Sequence, residues 1–137
     1  MSIASTSSAY QETEVLSSSS ERLVPLLYKR LLVSLKRGAT FIRKGDIDGK
    51  HESLDRAQDI LAELLASLDF DAGGEIAEQL SGLYLFWSKE ISGASLRLEA
   101  EPLDRVGEMV ATLYESWEEA ARLSRSTDSG EAQSATS

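Results

Sequence analysis

The sequence has no cysteine, one histidine and two prolines. Without cysteine, neither a disulfide nor a thiolate metal site can form, and nothing in the chain calls for an oxidising compartment. The single histidine, His51, cannot furnish a helical di-iron centre, which takes a Glu-x-x-His pair from each of two helices. With no glutamate three residues before it and a position near a predicted helix start, His51 reads as an exposed polar residue. Serines are plentiful but lie mostly in tails and caps, with one histidine in the whole chain to activate them. Long apolar runs are missing too. None approaches the roughly 18 residues of a membrane span, and Met1 to Ser8 lacks the basic region and apolar core of a signal peptide. A cytoplasmic protein without membrane insertion is the expectation.

Positive charge is scarce. Fourteen basic residues stand against 23 acidic ones, a formal net charge of −9 that repels phosphate backbones and argues against nucleic acid as a partner. The one basic stretch, Lys29 to Lys44 with Arg30, Lys36, Arg37 and Arg43 inside it, reads as a solvated helix face. The glycines form no GxGxxG and no phosphate loop. Gly73-Gly74 precedes a helix with no strand before it, which is turn chemistry rather than an anion cradle. Asp46 and Asp48 lack the remaining oxygen ligands of a calcium loop, and the Glu118-Glu119 pair falls on a solvated face. No catalytic residue, metal or cofactor is expected. The pattern points to a binding protein rather than an enzyme.

What the chain does have is helical periodicity. Its 137 residues, 42% of them apolar, suit one domain with a real core. Ser18 with Glu21 fits a capping box, Ser19 is an alternative cap, and Val24, Tyr28, Leu31, Leu35, Ala39 and Ile42 trace one stripe at threes and fours. Pro25 is the irregular residue, because a proline past the first turn loses a hydrogen bond and crowds the carbonyl four residues back. Either the helix starts late or it kinks there. Gly45 can end that helix in the left-handed conformation, and Asp46 or Asp48 can cap the next. Leu54, Ala57, Leu61, Leu64 and Leu68 form the second stripe, and Ile76, Leu80, Leu83, Trp87, Ile91, Ala94 and Leu98 the third. Pro102 is tolerated in the first turn of a fourth helix that carries Leu103, Val106, Val110, Leu113, Trp117 and Ala120.

The spacing therefore predicts an all-α fold with helices at about 19–43, 49–69, 74–98 and 102–123. A flexible arm, 1–18, precedes them, and a polar tail, 124–137, is too poor in apolar residues to order itself. Short connections make an antiparallel, up-down-up-down four-helix bundle the economical topology.

The bundle has more apolar residues than one core needs. Ile60, Leu61, Leu64, Leu65 and Leu68 fall within nine residues, and Tyr84, Leu85 and Phe86 crowd beside Leu83 and Trp87. The surplus is either a wide buried stripe, a contact for a homodimer, or a groove for a partner helix; pattern alone leaves these open.

Read in order, several segments resemble the flagellar secretion chaperone family FliS. Ala9-Tyr10-Gln11 with Thr13, then Leu16, Ser19, Glu21, Leu23-Val24 and Leu27-Tyr28, are similar to its opening arm and first helix. Ala57-Gln58-Asp59-Ile60, Glu63-Leu64, Ser67-Leu68-Asp69 and Gly73-Gly74-Glu75-Ile76-Ala77 match its most recognisable stretch, with Leu80, Leu83-Tyr84 and Trp117-Glu118-Glu119-Ala120 following. The resemblance runs from about Ala9 to Ala120. Their order and spacing carry it, since no single piece is diagnostic.

The resemblance implies a cytosolic chaperone that binds the disordered C-terminal segment of flagellin, prevents premature polymerisation and keeps it competent for flagellar type III export. Tyr10 would belong to an arm that covers apolar surface until the partner displaces it. Ile60, Leu64, Leu68, Leu80, Tyr84 and Trp87 are the candidate groove residues, with ordinary core as the competing role for each. Another helical adaptor, or a self-associating bundle, is the alternative. The chain departs from the family pattern at Ser20, Pro25 and Lys29-Arg30, which bears on the path of the arm and first helix.

Overall fold

Two aspartates set where helices begin. The Asp46 carboxylate accepts the Gly49 amide at 2.9 Å and starts one helix, and the Asp69 carboxylate accepts the Ala72 amide at 3.0 Å and starts the next. The result, in a computed structural model that describes the backbone of residues 13–136 and the side chains of 23–125, is four helices. They are α1 (Thr13–Lys44), α2 (Ile47–Ala66), α3 (Phe70–Arg97) and α4 (Glu101–Thr136). No strand occurs among the described residues. The fold is all-α, as the periodicity predicts.

The helix ends depart from the predicted ones for local reasons. Asp46, not Asp48, is the cap, so α2 starts at Ile47. It ends at Ala66, where the Ser67 hydroxyl donates to the Leu64 carbonyl at 2.7 Å. α3 begins at Phe70 because Asp69 caps a turn ahead of the double glycine. Gly74 then takes φ 51 and ψ −123, so the expected hinge is a kink inside α3 and the connection itself is the short 67–69 segment. At its other end α3 stops on Leu98, a left-handed cap at φ 56. α1 begins at Thr13, ahead of the predicted capping box, and continues through Pro25, which is buried. Extending an established helix costs far less than nucleating one, so the lost hydrogen bond is absorbed. For the same reason α4 runs on to Thr136, past Leu123 where composition places a polar tail. Residues 1–12, with Tyr10 among them, lie outside the described residues.

Packing follows the stripes. Tyr28, Leu31, Leu35 and Ala39 of α1 are buried against Leu54, Ala57, Leu61 and Leu64 of α2, with Trp87, Ile91, Val106 and Val110 closing the core from α3 and α4. Each large side chain buried in this way contributes about 1.5–3 kcal/mol.

Cross-helix pairs give the register. A Cβ on Gly38 would lie 2.4 Å from Leu54 Cδ2, so α1 and α2 touch there through a glycine, and farther along α1 Phe41 covers Gly49 near the start of α2. Arg43 pairs with Asp104 at 2.5 Å while Tyr28 meets Trp117, so α1 and α4 run in opposite directions. Lys50 bonds the Ser95 carbonyl, and Gln58 bonds Ser88, which sets α2 against α3 likewise. Each helix packs on its neighbours in sequence, and α1 meets α4 to close the ring. This brings the end of α2, the start of α3, the far end of α4 and Val24 of α1 to one end of the bundle.

Candidate functional site

At that end the described residues leave a groove between the helices. Leu68, Ala72, Ile76 and Leu80 form one wall of this groove, Val24, Trp117 and Ala121 the other, and Tyr84 its floor, around a volume of about 430 Å³. Among the described residues Asp69 is the single charged one in the lining, and its carboxylate is engaged in capping α3. The kink at Gly74 shapes this wall. By breaking the helical phase it turns Ile76 outward, where 66% of that side chain is exposed, although the sequence stripe assigns Ile76 to the core. An apolar residue so exposed beside Leu68 and Leu80 gives the groove an edge that an incoming apolar side chain can cover.

Under the groove lies an aromatic cluster. The Tyr28 and Tyr84 hydroxyls share a buried 2.8 Å hydrogen bond. The Tyr28 ring stands edge-on to Tyr84, Trp87 and Trp117, each at a centroid distance of 6.2 Å. Such edge contacts add about 0.5–1.5 kcal/mol each beyond the area they bury. Two polar atoms stay unsatisfied among the described residues, the indole nitrogens of Trp87 and Trp117. Trp117 lies close enough to Tyr28 to favour its ionised form slightly, yet its N–H makes no hydrogen bond of good geometry.

Burial moves both tyrosines away from their ordinary ionisation. It raises Tyr28 and raises Tyr84 further, because Tyr84 is also held neutral by its bond to Tyr28. Tyrosine in the unfolded chain ionises near pH 10, so the folded chain keeps these protons longer. The contribution is therefore complete below pH 10 and is lost as pH rises above it, by up to about 1.4 kcal/mol per pH unit for each tyrosine. Urea midpoints should fall steeply above pH 10, and Tyr28→Phe with Tyr84→Phe should flatten that fall. An equally steep fall in the double variant would place its origin elsewhere.

The six candidate groove residues divide. Leu64 and Trp87 are fully buried and Ile60 is nearly so, all within the core, whereas Leu68 and Leu80 are half-buried and line the groove. Tyr84 does both, buried in the cluster and facing the groove floor. Sequence reading missed Ile76, Trp117 and Ala121 as lining residues. The signal for the first was present in Gly73-Gly74, since a double glycine resets helical phase; for Trp117 and Ala121 it lay only in the three-dimensional meeting of helix ends. Leu85 and Phe86 are exposed on another face of α3, and Leu96 is the most exposed large apolar residue described.

Among the described residues, no group of three or more acidic or histidine side chains could hold a metal ion. No described helix is long and apolar enough to cross a membrane.

Residues 3–124 match the family described as "Flagellar protein FliS". The flagellar secretion chaperone FliS of Salmonella typhimurium strain LT2 is 33% identical over 109 residues, covering 79% of this chain and 81% of that protein. The Campylobacter jejuni protein of the same name is 32% identical over 111 residues, covering 81% and 87%. The one from Bacillus subtilis strain 168 is 25% identical over 125 residues, covering 91% and 92%.

Proposed function

Since the chain belongs to the FliS family of flagellar proteins, we propose that it is an export chaperone whose groove holds the C-terminal segment of flagellin before secretion. The relatives named as flagellar secretion chaperones support the general role. The observation that carries the finer reading is the apolar groove at one end of the bundle, with Ile76 exposed on its edge.

A filament subunit assembles by packing apolar helices against its neighbours, so covering one such segment blocks growth and leaves the chain extended enough for export. The occupant would be an amphipathic segment that becomes helical on binding, with anchors spaced at threes and fours. Ordering a disordered segment offsets part of the interface energy, which keeps the complex specific yet releasable at the export gate. Such a protein acts by binding rather than catalysis, and it works in the cytoplasm, where its substrate is made.

Titrating the chain with a flagellin C-terminal peptide, followed by calorimetry and circular dichroism, tests this. Heat of binding with a gain of helix is expected; neither heat nor helix would sink the assignment. Tyr10 enters the same proposal as part of an arm that covers apolar surface until flagellin arrives. Tyr10→Ala, or removal of Met1 to Ser17, should change peptide affinity several-fold by removing this competitor, while thermal unfolding moves by less than about 0.5 kcal/mol. A large loss of stability would mark Tyr10 as a packing residue instead.

A further inference from the structure

Lysine is seldom buried without an acidic partner, because a desolvated ammonium needs both its charge and its protons met. Lys50, near the start of α2, is only 5% exposed. Its Nζ donates to the Ser95 carbonyl in the last turn of α3 at 3.1 Å. Among the described residues it enters no ion pair; the salt bridges present join Arg43 to Asp104, Arg97 to Glu99 and Arg122 to Glu119. The end of a helix offers roughly half an elementary negative charge, so capping α3 offsets about half of the ammonium's charge and occupies one of its three donors. The remaining charge and the remaining N–H groups have no partner in the bundle.

Lys50 stands in the wall of a second groove, of about 450 Å³, between the start of α2 and the end of α3. It shares no lining residue with the first groove, which lies where α2 ends and α3 begins. Asp55 also lines it, but among the described residues it makes no ion pair with Lys50. Three large apolar side chains in the lining stay open to solvent: Ile47 and Leu98 are nearly half exposed, and Leu96 is 86% exposed. Leu98 carries a backbone cost as well. It ends α3 at φ 56, in the left-handed region where glycine is at ease and a residue with a Cβ is not, and the leucine held there is not packed away.

We propose that this groove docks a segment of another protein in which a single aspartate or glutamate is set among large apolar side chains. The carboxylate takes the free protons of Lys50, a charge-assisted contact in a desolvated site, and its apolar neighbours cover Ile47, Leu96 and Leu98. Charge narrows the occupant further. A chain of net charge −9 repels an acidic run at long range, so one carboxylate is accepted and a cluster is not. The exposed apolar residues stand on α2 and at the end of α3, which calls for an occupant that spans both helices rather than a small molecule sunk between them. Because the two grooves have no residue in common, the segment binds without displacing what the first groove holds.

Two synthetic helical peptides provide the test, identical except that one carries glutamate and the other glutamine at the centre of a leucine-rich face. Each is titrated into the isotope-labelled full chain and followed by amide NMR. The glutamate peptide should bind at least about tenfold more tightly, shifting the amide signals of Ile47, Lys50, Ser95 and Leu98 but not those of Leu68 and Ile76. Lys50→Met, which keeps the stem and removes the charge, should abolish that preference in a protein with the parent's helical spectrum. Leu96→Ser, at an exposed position where folding is not at stake, should weaken the glutamate peptide about fivefold. Equal binding of both peptides by the parent, no binding of either, or shifts confined to the first groove would overturn the proposal. So would a preference kept by Lys50→Met or full affinity in Leu96→Ser. Concentration-dependent shifts of the same amides in the protein alone would give the groove to a second copy instead, and saturation by hexanoate as tight as by the peptide would give it to a small organic acid; either result also overturns the assignment.

Discussion

Trp87→Ala should cost about 3–5 kcal/mol, the largest loss of stability expected from any single truncation in this chain. Trp87 is fully buried and packs on both Tyr28 and Tyr84, so its removal opens a cavity at the junction of α1 and α3 and takes two aromatic contacts with it. Its indole nitrogen has no partner among the described residues, so the loss comes from packing and not from a hydrogen bond. For a chain of this length the midpoint of thermal unfolding should fall by about 10–20 °C. Trp87→Phe, which keeps a ring and removes the unsatisfied N–H, should lose far less. Calorimetry on the two variants separates these causes, and equal losses would show that the indole itself is indispensable.

The second large effect concerns binding and leaves stability nearly untouched. Ile76→Asp puts a carboxylate on the groove edge at a position two-thirds exposed, so unfolding should shift by no more than about 0.5 kcal/mol. If a flagellin segment covers that edge, the carboxylate must be desolvated beside Leu80 and Ala77, with no cation among the described lining residues to receive it. Affinity should fall by at least about 30-fold, equivalent to the roughly 2 kcal/mol of an interface hot spot. Leu96→Asp is the matching control, because Leu96 is 86% exposed and lines no part of this groove. Equal binding by the parent and Ile76→Asp proteins in calorimetry would remove the groove from the mechanism, even if the peptide still bound elsewhere.

Much of the fold was legible because bundle cores repeat one rule. Tyr28, Leu31, Leu35 and Ala39 follow one another at steps of three, four and four, and all four are buried. Caps were legible as residue types but not as choices: Asp46 and Asp48 are both competent, and it is the Asp46 carboxylate that accepts the Gly49 amide. Helix ends were least legible, since Thr13 and Thr136 extend helices through polar sequence in which periodicity has nothing to register. The groove was half legible. Excess apolar residues on the second and third helices flagged Leu68 and Leu80, but Ile60, Leu64 and Trp87 carry the same signal and are buried. A stripe wider than one contact states that surface is left over without stating which rows face out. The kink at Gly74 decides that on α3, and a kink's direction is a backbone angle rather than a composition.

The two tryptophans turn the bundle into its own optical gauge. They are the only two in the chain, and they occupy opposed circumstances: Trp87 is sealed in the core, while Trp117 stands in the groove wall and is only partly covered. Indole emission follows the polarity and hydrogen bonding around its ring nitrogen, and neither nitrogen is engaged in the free chain. Filling the groove would change the surroundings of one emitter and leave the other as a constant background. Occupancy of the site can thus be followed by colour, without attaching a dye or a label to either molecule.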